Sequence, residues 1–142
     1  MPHRWYTPLI TISHSFVSEL NRAADVIVLS ETWFAANTCH DIQGYTGFHT
    51  YRADKTRGGV SVFIRNCYTS THMAKFSVCR AYYEISVVTV SLSNNCTVMI
   101  IGVYRPPDKS KIPEFTIQLN DILSLTSQSD HVFIVGALIF TF

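Results

Sequence analysis

A carboxylate and a phenol each follow a run of apolar residues in this sequence. Glu31 follows the run Val26–Leu29 after one intervening residue, Ser30, and Tyr104 closes the run Val98–Val103. Carboxylate oxygens are ligands for Mg²⁺, and a phenol can donate a hydrogen bond to a phosphate oxygen. Each residue also has an ordinary explanation, because a glutamate can cap a surface loop and a tyrosine ring can simply pack.

The apolar runs predict the strands that must position these two side chains. Three of the four residues in Val26–Leu29 are β-branched, and polar residues follow at once. Such a short run is typical of a strand buried on both faces. Since α/β sheets often place ligand sites beyond the C-terminal ends of their strands, Glu31 is predicted at such a position.

Four motifs follow one another between residues 25 and 136. They are Asp25–Trp33, Arg57–Arg65, Gly102–Pro107 and His131–Gly136. In this order they resemble the endonuclease/exonuclease/phosphatase family, most closely the endonuclease domains of non-LTR retrotransposons. The resemblance implies hydrolysis of DNA phosphodiesters with Mg²⁺, with Glu31 as a metal ligand and Tyr104 as a catalytic residue on the phosphate.

Residues 1–142 are predicted to form a single, incomplete α/β domain of this type. The expected architecture is a partial two-sheet α/β sandwich, mixed and largely antiparallel, with flanking helices.

Glu84 opens one of the predicted strands. An exposed carboxylate at a strand end explains the presence of this glutamate as well as any other role. The predicted strands are Pro8–Ile12, Val26–Leu29, Phe48–Arg52, Val60–Arg65, His72–Val78, Tyr82–Leu92, Cys96–Tyr104 and Val132–Val135, the last of them buried. The predicted helices are Ser15–Ala24 and Pro113–Leu125, and a loop is predicted from Glu31 through Gly47.

The sequence departs from the family where catalysis is concerned. In the family, the last strand delivers Gly-Asp-Phe-Asn, whose Asp activates water and whose Asn binds phosphate. Here that position reads Gly136-Ala137-Leu138-Ile139. Ser13 and His14 replace an expected asparagine, and no histidine lies in a catalytic motif. We therefore expect an inactive chain with weak or absent Mg²⁺ binding. The alternatives are a non-catalytic nucleic-acid-binding remnant and another phosphodiesterase or phosphatase of the superfamily.

Composition limits the partners that can be expected. Charged residues make up 15% of the chain, against about 25% in typical domains, and the net charge is +1. The net charge therefore does not indicate nucleic-acid binding. A local basic stretch does occur, formed by Arg52, Lys55, Arg57 and Arg65. DNA is the partner that the family implies. The low charge also favours self-association through exposed apolar surface.

Targeting signals and thiol chemistry point to an intracellular setting. The longest apolar run, Val132–Phe140, has nine residues, and a membrane-spanning helix needs about 20. No signal-peptide pattern opens the chain, and its four cysteines form no Cys-x-x-Cys pair. We expect a nuclear or cytoplasmic protein with reduced cysteines and no membrane partner.

Overall fold

The computed structural model describes residues 24–30, 32, 41–50, 58–80, 83–105, 112–136 and 138–140. The predicted strand Pro8–Ile12 lies outside these ranges, as does the predicted helix Ser15–Ala24 except for its last residue. Within them the strands are β1 (Val26–Ser30), β2 (Tyr45–Thr50), β3 (Val60–Arg65), β4 (Thr69–His72), β5 (Val78–Cys79), β6 (Glu84–Ser91), β7 (Thr97–Tyr104), β8 (His131–Val135) and β9 (Leu138–Phe140). The helices are α1 (Ile112–Leu123) and a 3-10 turn (Thr126–Gln128).

The described strands form two sheets. The first has the order β2-β3-β1-β9 and is antiparallel throughout. The second has the order β4-β6-β7-β8, with β5 also paired to β6. Its pairs are antiparallel except β7 with β8, which are parallel and joined through α1. The predicted fold class, a partial two-sheet α/β sandwich with largely antiparallel sheets, is confirmed.

A shared apolar core holds the two sheets together. Alternate residues point to opposite faces of a strand, so every second residue of β1, β3, β6 and β7 enters this core. Gly102 lets the sheets approach closely, because a Cβ on it would lie 2.9 Å from Val60 Cγ1 and 3.1 Å from Val28 Cγ1. The buried members are Val26, Val28, Val60, Val62, Ile64, Val88, Val90, Val98, Ile100 and Val135.

Helix α1 covers the outer face of the second sheet. Pro113 in its first turn and Glu114 near its positive end favour helix initiation there. Ile122 is fully buried, and the Phe115 ring meets Tyr83 edge-on with 5.5 Å between centroids. Helix α1 agrees with the predicted helix Pro113–Leu125 to within two residues at its end.

In the part of the chain that the structure describes, no helix has the length and apolar character needed to cross a membrane.

Strand β8 differs from its prediction in burial. Val132–Val135 was predicted as a buried strand, yet Phe133 is 37% exposed and Ile134 46% exposed. The physical reason is position, since β8 lies at one edge of the second sheet as far as the described residues go. An apolar run signals burial only when neighbouring elements cover both faces of the strand.

Two loop and strand boundaries were also predicted wrongly. The loop was predicted to end at Gly47, but β2 already begins at Tyr45. The Tyr45 hydroxyl donates a hydrogen bond to Ala24 O at 2.6 Å, which ties the start of β2 to the residues before β1. The predicted strand His72–Val78 instead ends at His72. There the chain turns, and Phe76 N–H donates to Met73 O at 2.9 Å. Both errors arise where hydrogen bonds to residues distant in sequence or within a turn outweigh the local apolar pattern.

Candidate functional site

Contacts between the sheets show which strand ends lie together. The His72 ring lies 5.5 Å from the Phe48 ring, and these residues pair with Val88 and Val62 respectively. Val88 of β6 and Val62 of β3 are therefore at one level of the sandwich. Two residues closer to the start of each strand, Ser86 of β6 and Val60 of β3 likewise lie at one level.

This alignment brings six polar residues to one end of the sandwich, the polar end. Ser30 pairs with Val60 and Thr50 pairs with Val60 from the other side, so the first sheet contributes polar groups at this level. The second sheet contributes residues at the start of β6 and the end of β7. The polar end comprises Ser30, Thr32, Thr50, Glu84, Ser86 and Tyr104.

Tyr104 lies where the sequence predicted it, at the C-terminal end of β7. Its ring is partly buried and packs against the core between the sheets. The packing explanation and the functional one are therefore compatible, since the ring body packs while the residue lies at the polar end. Glu31, the predicted metal ligand, lies outside the described residues; in the sequence it directly follows Ser30.

The sequence left the role of Glu84 open, with an exposed strand-end carboxylate as one explanation, and the structure shows that Glu84 is buried. Glu84 pairs with Tyr104, and Ser86 pairs with Gly102. Directly opposed residues of an antiparallel pair have Cβ atoms about 4.5–5.5 Å apart on the same face. Both Glu84 and Ser86 are 0% exposed. The strand carries them on the face that packs against the first sheet, alternating with Val88 and Val90.

Gly59 lets Thr32 close over the end of β3. Gly58 and Gly59, directly before β3, adopt positive φ angles of 81° and 96°, which glycine tolerates without strain. A Cβ on Gly59 would lie only 2.5 Å from Thr32 Oγ1 and 3.4 Å from Thr50 O. The Thr32 side chain and the Thr50 backbone carbonyl both lie close to Gly59, and both threonines are buried.

The polar end collects buried hydroxyl groups that lack protein partners. Within the described ranges, Thr32 Oγ1, Thr50 Oγ1 and Ser86 Oγ are buried and make no hydrogen bond. An unsatisfied buried polar group costs about 1–3 kcal/mol, so such groups are few in folded proteins. Their concentration at one end of the sandwich marks a place where polar ligands can be bound.

The donors at the polar end are all oxygens. Carboxylate and hydroxyl oxygens suit hard divalent cations such as Mg²⁺ or Mn²⁺ rather than soft metals. The described residues contain no group of three or more His, Cys, Asp or Glu side chains that would form a complete metal cage. The donor set therefore fits a cation that keeps several of its own waters, which Mg²⁺ ordinarily does.

Strand β8 brings Gly136 to this same end. Val135 pairs with Gly102, two residues before Tyr104, and Gly136 follows with no atom within 4 Å of a Cβ placed on it. Ala137 lies outside the described residues. Leu138 then begins β9, which pairs with β1 at Val28. The chain thus passes from one sheet to the other beside Tyr104, and neither residue at the crossing carries a carboxylate or an amide.

Histidine does not contribute to the polar end within the described residues. His49 lies on the opposite face of its sheet, where its Nδ1 is 2.8 Å from Ser61 Oγ and its ring meets Phe63. Burial lowers the pKa of His49, while the nearby charge of Asp41 acts in the opposite direction. His72 lies at the middle of the sandwich, and His131 starts β8 at the far end.

Comparison with known proteins confirms the fold. Neither a family model nor a curated protein matches the sequence. Solved structures of TDP2 do match, and they show that the chain shares the fold of these structures. TDP2 is a DNA-processing member of the endonuclease/exonuclease/phosphatase superfamily.

Three of these structures illustrate the extent of the likeness. TDP2 of D. rerio complexed with a single-strand DNA product is 17% identical, with a TM-score of 0.52 over 79% of this chain and 46% of that one. Humanized D. rerio TDP2 with 14 mutations is 15% identical, with a TM-score of 0.54 over 88% and 60%. C. elegans TDP2 is 10% identical, with a TM-score of 0.53 over 92% and 44%. This chain spans 44% to 60% of the lengths of these proteins.

Proposed function

We propose that this chain is part of a divalent-metal-dependent DNA phosphodiesterase of the type carried by non-LTR retrotransposons. It retains Glu31 for the metal and Tyr104 for the phosphate, and it lacks the aspartate that activates water and the asparagine that binds phosphate in the family. The superfamily fold supports this proposal, as does the DNA product bound to a similar structure. The four ordered motifs from Asp25 to Gly136 support the retrotransposon type, and DNA as substrate favours work in the nucleus.

Two residues carry the binding functions in this proposal. Glu31 holds the cation beyond the end of β1, and Tyr104 donates a hydrogen bond to a phosphate oxygen from the end of β7. A bound divalent cation would neutralise developing charge on the phosphate. The packing of the Tyr104 ring against the core fixes the direction of its phenol, which favours a defined contact with the substrate.

The register of β7 and β8 is the observation that carries the proposed loss of activity. Because Val135 pairs with Gly102, the residues after β8 emerge beside Tyr104. The family places its water-activating aspartate at this point, where the present sequence has Gly136 and Ala137. A general base contributes about 10²–10⁴-fold to the rate, so its loss leaves phosphodiester cleavage too slow to detect.

A nicking assay tests this proposal. The full chain is incubated with supercoiled plasmid DNA and Mg²⁺ or Mn²⁺, alongside the Glu31→Ala variant. We expect no nicking above background from either protein. Nicking by the wild type that disappears in Glu31→Ala would contradict the proposed inactivity, because it would show that another residue supplies the base.

The structure weighs against the alternative of a simple nucleic-acid-binding module. That alternative depends on the basic stretch between Arg52 and Arg65. Arg65 is already engaged, since its Nη2 donates to Ala24 O at 2.6 Å and its Nε lies 3.4 Å from Asp25 Oδ1. The other basic residues of the stretch lie outside the described residues. A DNA affinity that falls steeply with salt would favour this alternative, since phosphate neutralisation releases counterions.

A further inference from the structure

Two arginines lie just beyond the polar end, where β5 and β7 finish. The register pairs Glu84 of β6 with Tyr104 of β7, and one residue further out it places Arg105 beside Tyr83. On the other side of Tyr83, the pairing of β5 with β6 continues for one more residue, since Arg80 N–H donates to Tyr83 O at 2.8 Å. Arg80 and Arg105 therefore flank Tyr83 at one level, with their backbones two strand spacings, or about 10 Å, apart.

The two arginines belong to the outer face of the second sheet. Tyr83 is 1% exposed and meets the Phe115 ring of α1 on this face. Directly opposed residues of neighbouring strands carry their side chains on the same face, so Arg80 and Arg105 share the face of Tyr83. Glu84 is one residue along and therefore carries its carboxylate to the inner face. The rim of the polar end thus has two positive charges on its outer side.

Arg80 is available to a ligand. The residue is exposed, and its side chain has no hydrogen bond or ion pair within the residues that the structure describes. Arg65, by contrast, is held by Asp25 and by the backbone of Ala24. Arg105 is partly buried, so it has less side-chain freedom to lose when it binds a ligand.

We propose that Arg80 and Arg105 bind DNA phosphates next to the one that Tyr104 contacts, so that the DNA strand crosses the end of the second sheet from β7 towards β5. This inference rests on the DNA substrate of the proposed function. A guanidinium is always charged, and its planar fork of N–H donors matches a phosphate group. Two such groups on neighbouring strand ends favour a ligand with several phosphates along one chain.

The sequence alone does not indicate this pair of arginines. Arg80 and Arg105 are far apart in the chain, and only the pairing of β5, β6 and β7 brings them to one level. The net charge of +1 conceals such a pair, because the acidic residues that balance it lie elsewhere in the chain. Two phosphate contacts give DNA binding a shallow dependence on salt, in contrast to the steep dependence expected of an extended basic surface.

DNA binding without metal tests the assignment independently of any activity. Fluorescence anisotropy with a labelled single-stranded oligonucleotide, in the presence of EDTA, gives the affinity of the full chain at several salt concentrations. Each phosphate contact to single-stranded DNA contributes about −0.7 to the slope of log affinity against log salt concentration. We expect Arg80→Gln and Arg105→Gln each to weaken binding at low salt and to reduce the magnitude of this slope by about 0.7.

Lys75→Gln is the matched control, because it removes the same charge from an exposed residue. Lys75 lies in the turn before β5, whereas Arg80 follows β5 at the polar end. We expect the control to leave the slope unchanged, and Arg105→Lys, which keeps the charge, to retain it as well. A slope that either glutamine variant leaves unchanged, or that Lys75→Gln reduces as much, would overturn the proposal. If Arg105→Gln does not fold, Arg80→Gln decides the test, because its exposed side chain has no such contact to lose.

The outcomes for this inference and for the proposed function are separable. A wild type that binds DNA with a slope that neither arginine substitution changes would contradict only this inference. Nicking by the wild type that disappears in Glu31→Ala would contradict the proposed inactivity and leave the two phosphate contacts standing. A wild type that binds no DNA even at low salt would contradict both.

Discussion

Glu84 and Tyr104 lie directly opposite each other across β6 and β7, at the end of the face that packs against the first sheet. The next pair of the same face, Ser86 and Gly102, lies against Val60 and Val28. A single antiparallel pairing thus sets a buried carboxylate beside the predicted catalytic phenol and fixes both against the other sheet. The position of the candidate site follows from this pairing as much as from the motifs.

The close approach of the sheets at Gly102 predicts a sensitivity to added volume. In Gly102→Ala the new methyl would lie 2.9 Å from Val60 Cγ1 and 3.1 Å from Val28 Cγ1. Overpacking of this kind costs about 1–3 kcal/mol, so we expect that loss in the free energy of unfolding measured with urea. Gly136→Ala is the control, because nothing lies within 4 Å of its added methyl. Equal effects of the two substitutions would contradict the described packing of the sheets.

Two partly buried histidines, His49 and His72, predict a loss of stability on acidification. Burial lowers the pKa of His49 and of His72 below the ordinary value of 6.5. The unfolded chain therefore binds more protons than the folded one in this range, and stability rises with pH. The stabilisation is complete above about pH 6.5 and is lost as pH falls through the folded pKa values. We expect His49→Gln to reduce the slope of unfolding free energy against pH, and the double variant with His72→Gln to reduce it further. An unchanged slope in the double variant would contradict this account.

The exposed apolar residues of β8 predict self-association between copies of this chain. Ile134 is 46% exposed on a strand at a sheet edge, and the chain has only 15% charged residues. Exposed strand edges and apolar patches favour pairing with other chains. We expect oligomers in analytical ultracentrifugation and binding of a hydrophobic dye, both reduced by Ile134→Lys. Ile117→Lys on helix α1, where the side chain is 64% exposed, is the control and should have a smaller effect. A wild-type monomer that binds no dye would contradict the prediction.

Local patterns predicted most of the secondary structure correctly. The β-branched runs in β1, β3, β6 and β7 favour strands wherever they lie, and the apolar spacing after Pro113 favours a helix. Asn94 and Asn95 form the turn between β6 and β7, and Asn95 tolerates the positive φ of 60° that this turn requires. Most errors concern burial or boundaries, and one concerns element type, since residues 74–76 of the predicted strand His72–Val78 form a turn. Whether β8 is covered depends on which strands flank it, and a single strand's sequence does not contain that information.

The candidate site was predicted only in part for a related reason. The position of Tyr104 at a strand end could be predicted, because the apolar run before it and the prolines after it in the sequence define that end. The burial of Glu84 could not be predicted, because it depends on the register between β6 and β7. Thr50 and Ser86 reach the same end of the sandwich only when the two sheets pack. Glu31 remains a sequence prediction, since it lies outside the described residues.

The most direct test of the central claim is to restore the missing base. Ala137 occupies the position of the family's water-activating aspartate, and Ala137→Asn provides a control of similar size without a base. The p-nitrophenyl phosphodiester of thymidine is a suitable substrate, because its leaving group departs without a proton and no acid is required. With Mn²⁺, we predict that Ala137→Asp releases p-nitrophenol faster than the wild type and Ala137→Asn by about 10²-fold or more. Equal rates from all three proteins would contradict the claim that this chain has a phosphodiesterase site whose rate is limited by its missing general base.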